Sequence, residues 1–140
     1  MLLEKNKDHA RRFLNALWNE EDYKVVDELL ASDYDGHSST VINGPDGAKQ
    51  FVPMLRKALP DFKFSVLDQI AEGVKVATRW KIRGTHQYDF QVLSPSGRMV
   101  EISGITIFRV ADGKMIDGWT SEDLLGLYQQ LGALPLPVPG

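Results

Sequence analysis

Between Val76 and Gly84 every second residue is apolar or small, namely Val76, Thr78, Trp80, Ile82 and Gly84, while Arg79, Lys81 and Arg83 stand between them. Alternation of period two over that length specifies a β-strand with one face on a core and the other toward water or a partner subunit. Continuing the phase past Gly84 brings His86 to the apolar side. A sheet divided in this way needs an amphipathic cover on its apolar face, and the preceding residues supply one.

Ala10, Phe13, Leu14, Leu17 and Trp18 follow the spacing of one buried helical face, which predicts a helix from Glu4 to Asn19. After the polar break Asn19-Glu20-Glu21-Asp22, a second helix is expected from Tyr23 to Leu30, with Val25, Val26, Leu29 and Leu30 on one side. Tyr34 to Ile42 is too polar for a core helix and reads as an irregular edge strand, ended by the turn Asn43-Gly44-Pro45-Asp46-Gly47. A third helix from Asp46 should bury Phe51, Met54, Leu55 and Ala58, with Pro53 kinking it or lying in its first turns. Strands are then expected at Phe62–Ala71, Val74–Thr85, Met99–Val110 and Lys114–Thr120, joined by turns at Glu72-Gly73, Ser94-Pro95-Ser96-Gly97 and Asp112-Gly113 as an antiparallel meander. Ser121-Glu122-Asp123 can cap a last helix, Leu124–Leu131, before Gly132 and a Pro-rich arm. The expected fold is α+β in one domain: 1–60 mostly helical, 61–121 a β meander, 122–132 a C-terminal helix and 133–140 the Pro-rich tail.

The same alternation puts Ile102, Gly104, Thr106 and Phe108 on the helix-facing side, and Ile116, Gly118 and Thr120 in the last strand, with Asp117 and Trp119 opposite. Glycines on that side do not fill their share of a core, which leaves room for a ligand. Trp80 is the expected contact for a planar guest, with Trp18 and Phe108 serving as both core and pocket wall. Asp117 is expected to pair with Arg79 on the outer face.

Composition narrows the function classes. A net charge of −3 carries no basic footprint for nucleic acid, and 43% hydrophobic with 25% charged residues is ordinary for a globular chain. Without cysteine there is no disulfide, thiolate nucleophile or Cys-based metal site, and three scattered histidines provide no metal-ligand spacing. Glycine-rich phosphate loops and a Gly-x-Ser-x-Gly elbow are absent, so no cofactor is expected. Met1–Asp8 lacks an apolar signal region and no apolar run has membrane-spanning length, so a cytoplasmic protein without membrane attachment is expected.

A resemblance runs through nearly the whole chain: Phe13-Leu14-Asn15-Ala16-Leu17-Trp18-Asn19, Asp33-Tyr34 with His37, Leu59-Pro60-Asp61-Phe62, Arg79-Trp80, Gly84-Thr85-His86, Pro95-Ser96-Gly97-Arg98, Arg109-Val110-Ala111-Asp112-Gly113-Lys114 and Leu125-Gly126-Leu127-Tyr128-Gln129-Gln130-Leu131-Gly132. In order and spacing these segments resemble the SnoaL-like polyketide cyclase family. The resemblance implies the cone-shaped α+β barrel of nuclear transport factor 2, a homodimer formed through the outer sheet face, and a hydrophobic small molecule bound in the cone. It also implies ring closure by intramolecular aldol condensation without metal or cofactor, an aspartate of the last strand acting as base.

Counted from the shared Arg-x-x-Asp-Gly-Lys turn, that aspartate's position falls on Thr120 and its supporting histidine's on Thr106. A threonine hydroxyl hydrogen-bonds but holds its proton too tightly to abstract one from carbon. His37 lies where ketosteroid isomerase, a more distant enzyme of this fold, places its general base, and Asp35 two residues away either orients it or is a solvated loop residue. His86 either faces the pocket or ties a loop to the barrel rim. Asp123 is a first-turn helix residue or a substrate contact. Two functions follow. One is a cofactor-independent enzyme moving a proton on a hydrophobic carbonyl compound, with His37 as acid or base and His86, Thr106 and Thr120 orienting oxygens. The other is a binding protein without catalysis.

Overall fold

The computed structural model describes residues 2–37, 44–89 and 95–132. The chain opens with helix α1 (Leu2–Asn15), which runs directly into a wider π-helical turn at Ala16–Glu20. That turn closes at Glu21, whose backbone adopts a left-handed φ of 51°. Helix α2 (Tyr23–Leu29) follows, capped by the Asp22 carboxylate, which accepts from the Val25 N–H at 3.3 Å. Strand β1 (Leu30–His37) then leads to helix α3 (Gly44–Ala58). Strands β2 (Lys63–Glu72), β3 (Lys75–Thr85), β4 (Met99–Ala111) and β5 (Lys114–Glu122) form the meander, and helix α4 (Leu124–Gln130) closes the described chain.

The five strands form one sheet in the order β1-β5-β4-β3-β2. All neighbours from β2 to β5 are antiparallel, whereas β1 joins the β5 edge in parallel. The hairpin between β4 and β5 turns on Asp112 (φ 51°) and Gly113 (φ 75°), the doubly left-handed pair that matches strand twist in a two-residue turn. Along β3 and β4 burial alternates strictly, with Val76, Thr78, Trp80, Ile82, Ile102, Thr106 and Phe108 inside. Helix α1 lies over β2 and β3 and covers this face with Ala10, Phe13 and Leu14.

Several details differ from the sequence-based expectation. The edge strand begins at Leu30, four residues before Tyr34, because Leu30 and Ala31 are buried and extended rather than helical. Its expected continuation through 38–42, and the Pro-rich arm at 133–140, lie outside the described residues. In α3, Met54 is 41% exposed and Val52 takes the buried position beside Leu55 and Ala58. Pro53 sits in the interior of this helix, on an exposed position. In β5 Ile116 is skipped between Met115, the partner of Val110, and Asp117, the partner of Arg109, so Met115 and not Ile116 points inward. The bulge inserts one residue and reverses the phase on either side of it.

Asp117 pairs with Arg109 and not with Arg79. The two are direct partners across β4 and β5, while β3, which carries Arg79, is separated from β5 by β4. Arg109 Nε donates to Asp117 Oδ1 at 3.1 Å and its Nη2 to Oδ2, a bidentate pair that raises the guanidinium pKa.

Candidate functional site

A cavity opens between α1, the π-helical turn, β1 and the inner faces of β3, β4 and β5. Its deep wall is buried and apolar, formed by Phe13, Leu14, Leu17, Leu30, Trp80 and Phe108. Its more exposed lining residues, Tyr34, Gly36, His37, Thr120 and Glu122, cluster at the ends of β1 and β5 and therefore mark the mouth. The cavity measures about 60 Å³. A closed apolar cavity of roughly 150 Å³ holds benzene, so a ring-sized guest here must extend into the mouth or displace lining side chains.

The π-helical turn positions one wall. It carries Leu17 and Trp18 onto the cavity, and Arg56 of α3 fastens it by donating to Trp18 O at 2.6 Å and to Phe62 O at 2.7 Å. The Trp18 ring stacks on Phe64 at 5.5 Å, and Phe64 stacks on Trp80 at 5.3 Å. Three rings thus run from the turn to β3 and hold the Trp80 indole in place.

The glycines expected to leave room for a ligand make room for aromatic side chains instead. A Cβ on Gly104 would meet the Trp80 ring at 2.5 Å, and one on Gly118 would collide with the Tyr34 hydroxyl. Because Gly104 is the β4 partner of Trp80, the indole lies across that strand and reaches Thr106. There Trp80 Nε1 donates to Thr106 Oγ1 at 3.0 Å, and Thr106 Oγ1 lies 2.9 Å from Thr120 Oγ1. An indole N–H only donates, so the Thr106 oxygen accepts from it. When Thr106 gives its own proton to Thr120, Thr120 has its proton to offer a guest. Burial, with the nearby charges of Asp117 and Asp35, raises the Tyr34 pKa, so this phenol also stays protonated beside the mouth.

Six of the nine residues singled out from sequence line the cavity: Trp18, His37, Trp80, Thr106, Phe108 and Thr120. His37 does so only at the rim. It is the register partner of Trp119, its ring stacks on that indole at 5.5 Å, and its Nε2 lies 3.1 Å from Asp35 Oδ2. The His37–Asp35 pair therefore exists, but on the outer face of the sheet, opposite to Thr106 and Thr120. His86 is fully buried in the expected phase but does not line the cavity. Its Nδ1 accepts from the Ser96 N–H at 3.1 Å and lies 3.0 Å from Ser96 Oγ, which ties the segment between β3 and β4 to the core. The ring proton is thereby assigned to Nε2, which has no hydrogen-bond partner among the described residues. Asp123 is a helix cap, accepting from the Gly126 N–H at 2.8 Å, and stays outside the cavity.

Glu122, like Tyr34 and Gly36, is a lining residue that sequence reasoning missed. Of the expected cap Ser121-Glu122-Asp123, Asp123 alone caps α4, and β5 extends to Glu122. The signal was present: Gly118, Thr120 and Glu122 share one phase, and carrying the alternation two residues further would have placed the carboxylate on the inner face. Among the described residues no group of acidic or histidine side chains is arranged to hold a metal ion, and no helix is long and apolar enough to cross a membrane.

Comparison with known proteins agrees with this architecture. Residues 8–131 match the family model of SnoaL-like polyketide cyclases. TsrD from Streptomyces laurentii is 29% identical with a TM-score of 0.82, covering 94% of this chain and 97% of that one. AclR from Streptomyces galilaeus, named a candidate hydroxylase, is 26% identical with a TM-score of 0.84, covering 98% of this chain and 90% of that one. IdmH from Streptomyces antibioticus, named a candidate polyketide cyclase, is 27% identical with a TM-score of 0.80 over 91% of this chain and 98% of that one. No curated protein matches the chain significantly. With the helices, the curved mixed sheet and nearly the whole length in common, the chain belongs to the SnoaL-like polyketide cyclase family.

Proposed function

We propose that this protein binds a hydrophobic, carbonyl-bearing small molecule in the cone cavity and moves a proton on it by acid–base chemistry, without a metal or cofactor. The observation that carries the reading is the hydrogen-bonded line Trp80–Thr106–Thr120, which sets hydroxyl groups against the aromatic and aliphatic deep wall. A hydroxyl supported in this way is suited to bind a carbonyl oxygen and to stabilise the negative charge that grows on it when a neighbouring carbon loses a proton. The names of AclR and IdmH suggest different reactions, so they support a shared type of site more than a shared outcome.

A binding protein without catalysis is the second reading, favoured by the placement of His37 and His86. One ring lies outside the sheet and the other is engaged by Ser96, so neither is arranged as a base for a guest against Thr120. The two readings separate with α-tetralone, a flat aromatic ketone, as probe. Tryptophan fluorescence reports its binding, and proton NMR in heavy water reports loss of its exchangeable protons next to the carbonyl. Binding with accelerated exchange supports the enzyme; binding with exchange at the buffer rate leaves only the binding protein.

Two copies are proposed to meet through the outer face. Ile105, Ile107 and Trp119 are 46%, 38% and 40% exposed there, and Ile107 and Trp119 are direct cross-strand partners. Neighbouring exposed apolar side chains of this size suit a covered surface.

A further inference from the structure

We infer that Glu122 is the proton acceptor of the cavity, the carboxylate base standing one strand repeat beyond Thr120. The inference rests on the proton-transfer reading above and names the group that reading lacks. Glu122 lines the cavity at its mouth, is partly buried, and shares the inner-face phase of Gly118 and Thr120. Among the described lining residues it is the one carboxylate. The other lining side chain able to take up a proton, the His37 imidazole, sits at the rim with its ring stacked on Trp119 of the outer face.

Spacing supports the division of labour. Residues two apart on a strand are separated by about 6–7 Å, and their side chains leave the same face. A ketone fits between two such groups, its oxygen accepting from the Thr120 hydroxyl and the hydrogen on the adjacent carbon directed at the Glu122 carboxylate, each contact within ~3 Å. Gly104, the β4 partner of Glu122, has no side chain, and the Trp80 ring occupies that place as a flat support for the guest.

In the step itself the carbon–hydrogen bond breaks and its proton passes to a Glu122 oxygen. The bonding pair moves into a carbon–carbon double bond while the carbonyl pair moves to oxygen, giving an enolate held by Thr120. The proton then returns from Glu122 to the same carbon, to another carbon of the enolate, or to an alkoxide formed when the enolate attacks a second carbonyl of the same molecule. No oxidant, reductant or further reactant is required. Thr120 supplies the hydroxyl and Glu122 the charge that a single aspartate could not supply from both positions.

The experiment uses the full chain and α-tetralone, with binding followed by tryptophan fluorescence and proton exchange by NMR in heavy water. Glu122→Gln is expected to slow exchange about a hundredfold or more while changing binding by less than about threefold. Glu122→Asp should retain part of the rate, and the wild-type rate should fall on acidification with a limb that Glu122→Gln lacks. Undiminished exchange in a folded Glu122→Gln protein overturns the assignment and leaves the proton-transfer reading standing. Should that variant not fold, a wild-type profile without an acid limb overturns it equally. A wild-type protein that binds α-tetralone without accelerating exchange overturns the reading and the assignment together.

Discussion

The hydroxyl oxygens of Thr106 and Thr120 lie 2.9 Å apart on neighbouring strands, and the indole of Trp80 donates to the first of them. The pairing is a consequence of register, since Thr106 and Thr120 are direct partners between β4 and β5. Thr106→Val keeps the shape but leaves the buried Trp80 N–H without an acceptor. A loss of about 1–3 kcal/mol in urea unfolding is expected, together with a changed near-ultraviolet tryptophan signal. Thr120 is less buried, so Thr120→Val should cost less stability and instead weaken α-tetralone binding by about three- to tenfold. Equal losses of stability from the two substitutions would contradict the direction of this hydrogen-bonded line.

Gly104 is required by the Trp80 ring. The Cβ of Gly104→Ala would meet two indole carbons and the Ser121 carbonyl oxygen at under 3 Å, and neither the ring stack nor the strand can yield freely. The expected cost is about 1–3 kcal/mol, read by thermal or urea unfolding. The displaced indole should also lose its bond to Thr106, so Gly104→Ala and Thr106→Val are expected to be less than additive when combined.

Asp61 gives the fold a pH dependence of known sign. Thr85 donates its N–H to Oδ1 at 2.7 Å and its hydroxyl to Oδ2 at 2.9 Å, and these bonds hold the carboxyl pKa below its usual 3.8. A folded-state pKa below the unfolded one contributes stability above the unfolded value and loses it as pH falls through the folded value. The difference in urea midpoint between wild type and Asp61→Asn should therefore be present near about pH 7 and close below 3.8. A difference that does not change with pH would show that the charge of Asp61 plays no part.

The outer sheet face should mediate self-association. Sedimentation of the wild type is expected to show a dimer, and Ile107→Glu to shift it toward monomer by placing a charge beside Trp119 in the covered patch. A monomeric wild type at micromolar concentration would remove this interface. A dimer unaffected by Ile107→Glu would place the interface elsewhere.

Much of the architecture was legible because strand and helix periods are local properties. The alternation through Val76–Gly84 and Ile102–Phe108 required nothing beyond side chains leaving a strand on opposite faces, and it correctly assigned Trp80, Thr106 and Phe108 to the inside. Phe13, Leu14, Leu17 and Trp18 likewise followed from helical spacing. Thr120 kept its predicted face while Ile116 did not, because Ile116 is the unpaired residue of the bulge in the β4–β5 pairing, and a bulge depends on how two strands meet.

What this sequence determined by itself is therefore the set of faces: which side of each regular element is apolar, where its turns must lie, and that two threonines stand where a base was expected. Tertiary structure decided which faces meet. β1 joined β5 in parallel, which set His37 against Trp119 and left it only at the rim of the cavity. β5 continued to Glu122, which brought a carboxylate to the mouth. Gly104 and Gly118 received the rings of Trp80 and Tyr34, so the space they left was filled by aromatic side chains. These outcomes depend on pairing between segments far apart in the chain, where backbone hydrogen bonds and close packing choose among arrangements that local pattern leaves equivalent.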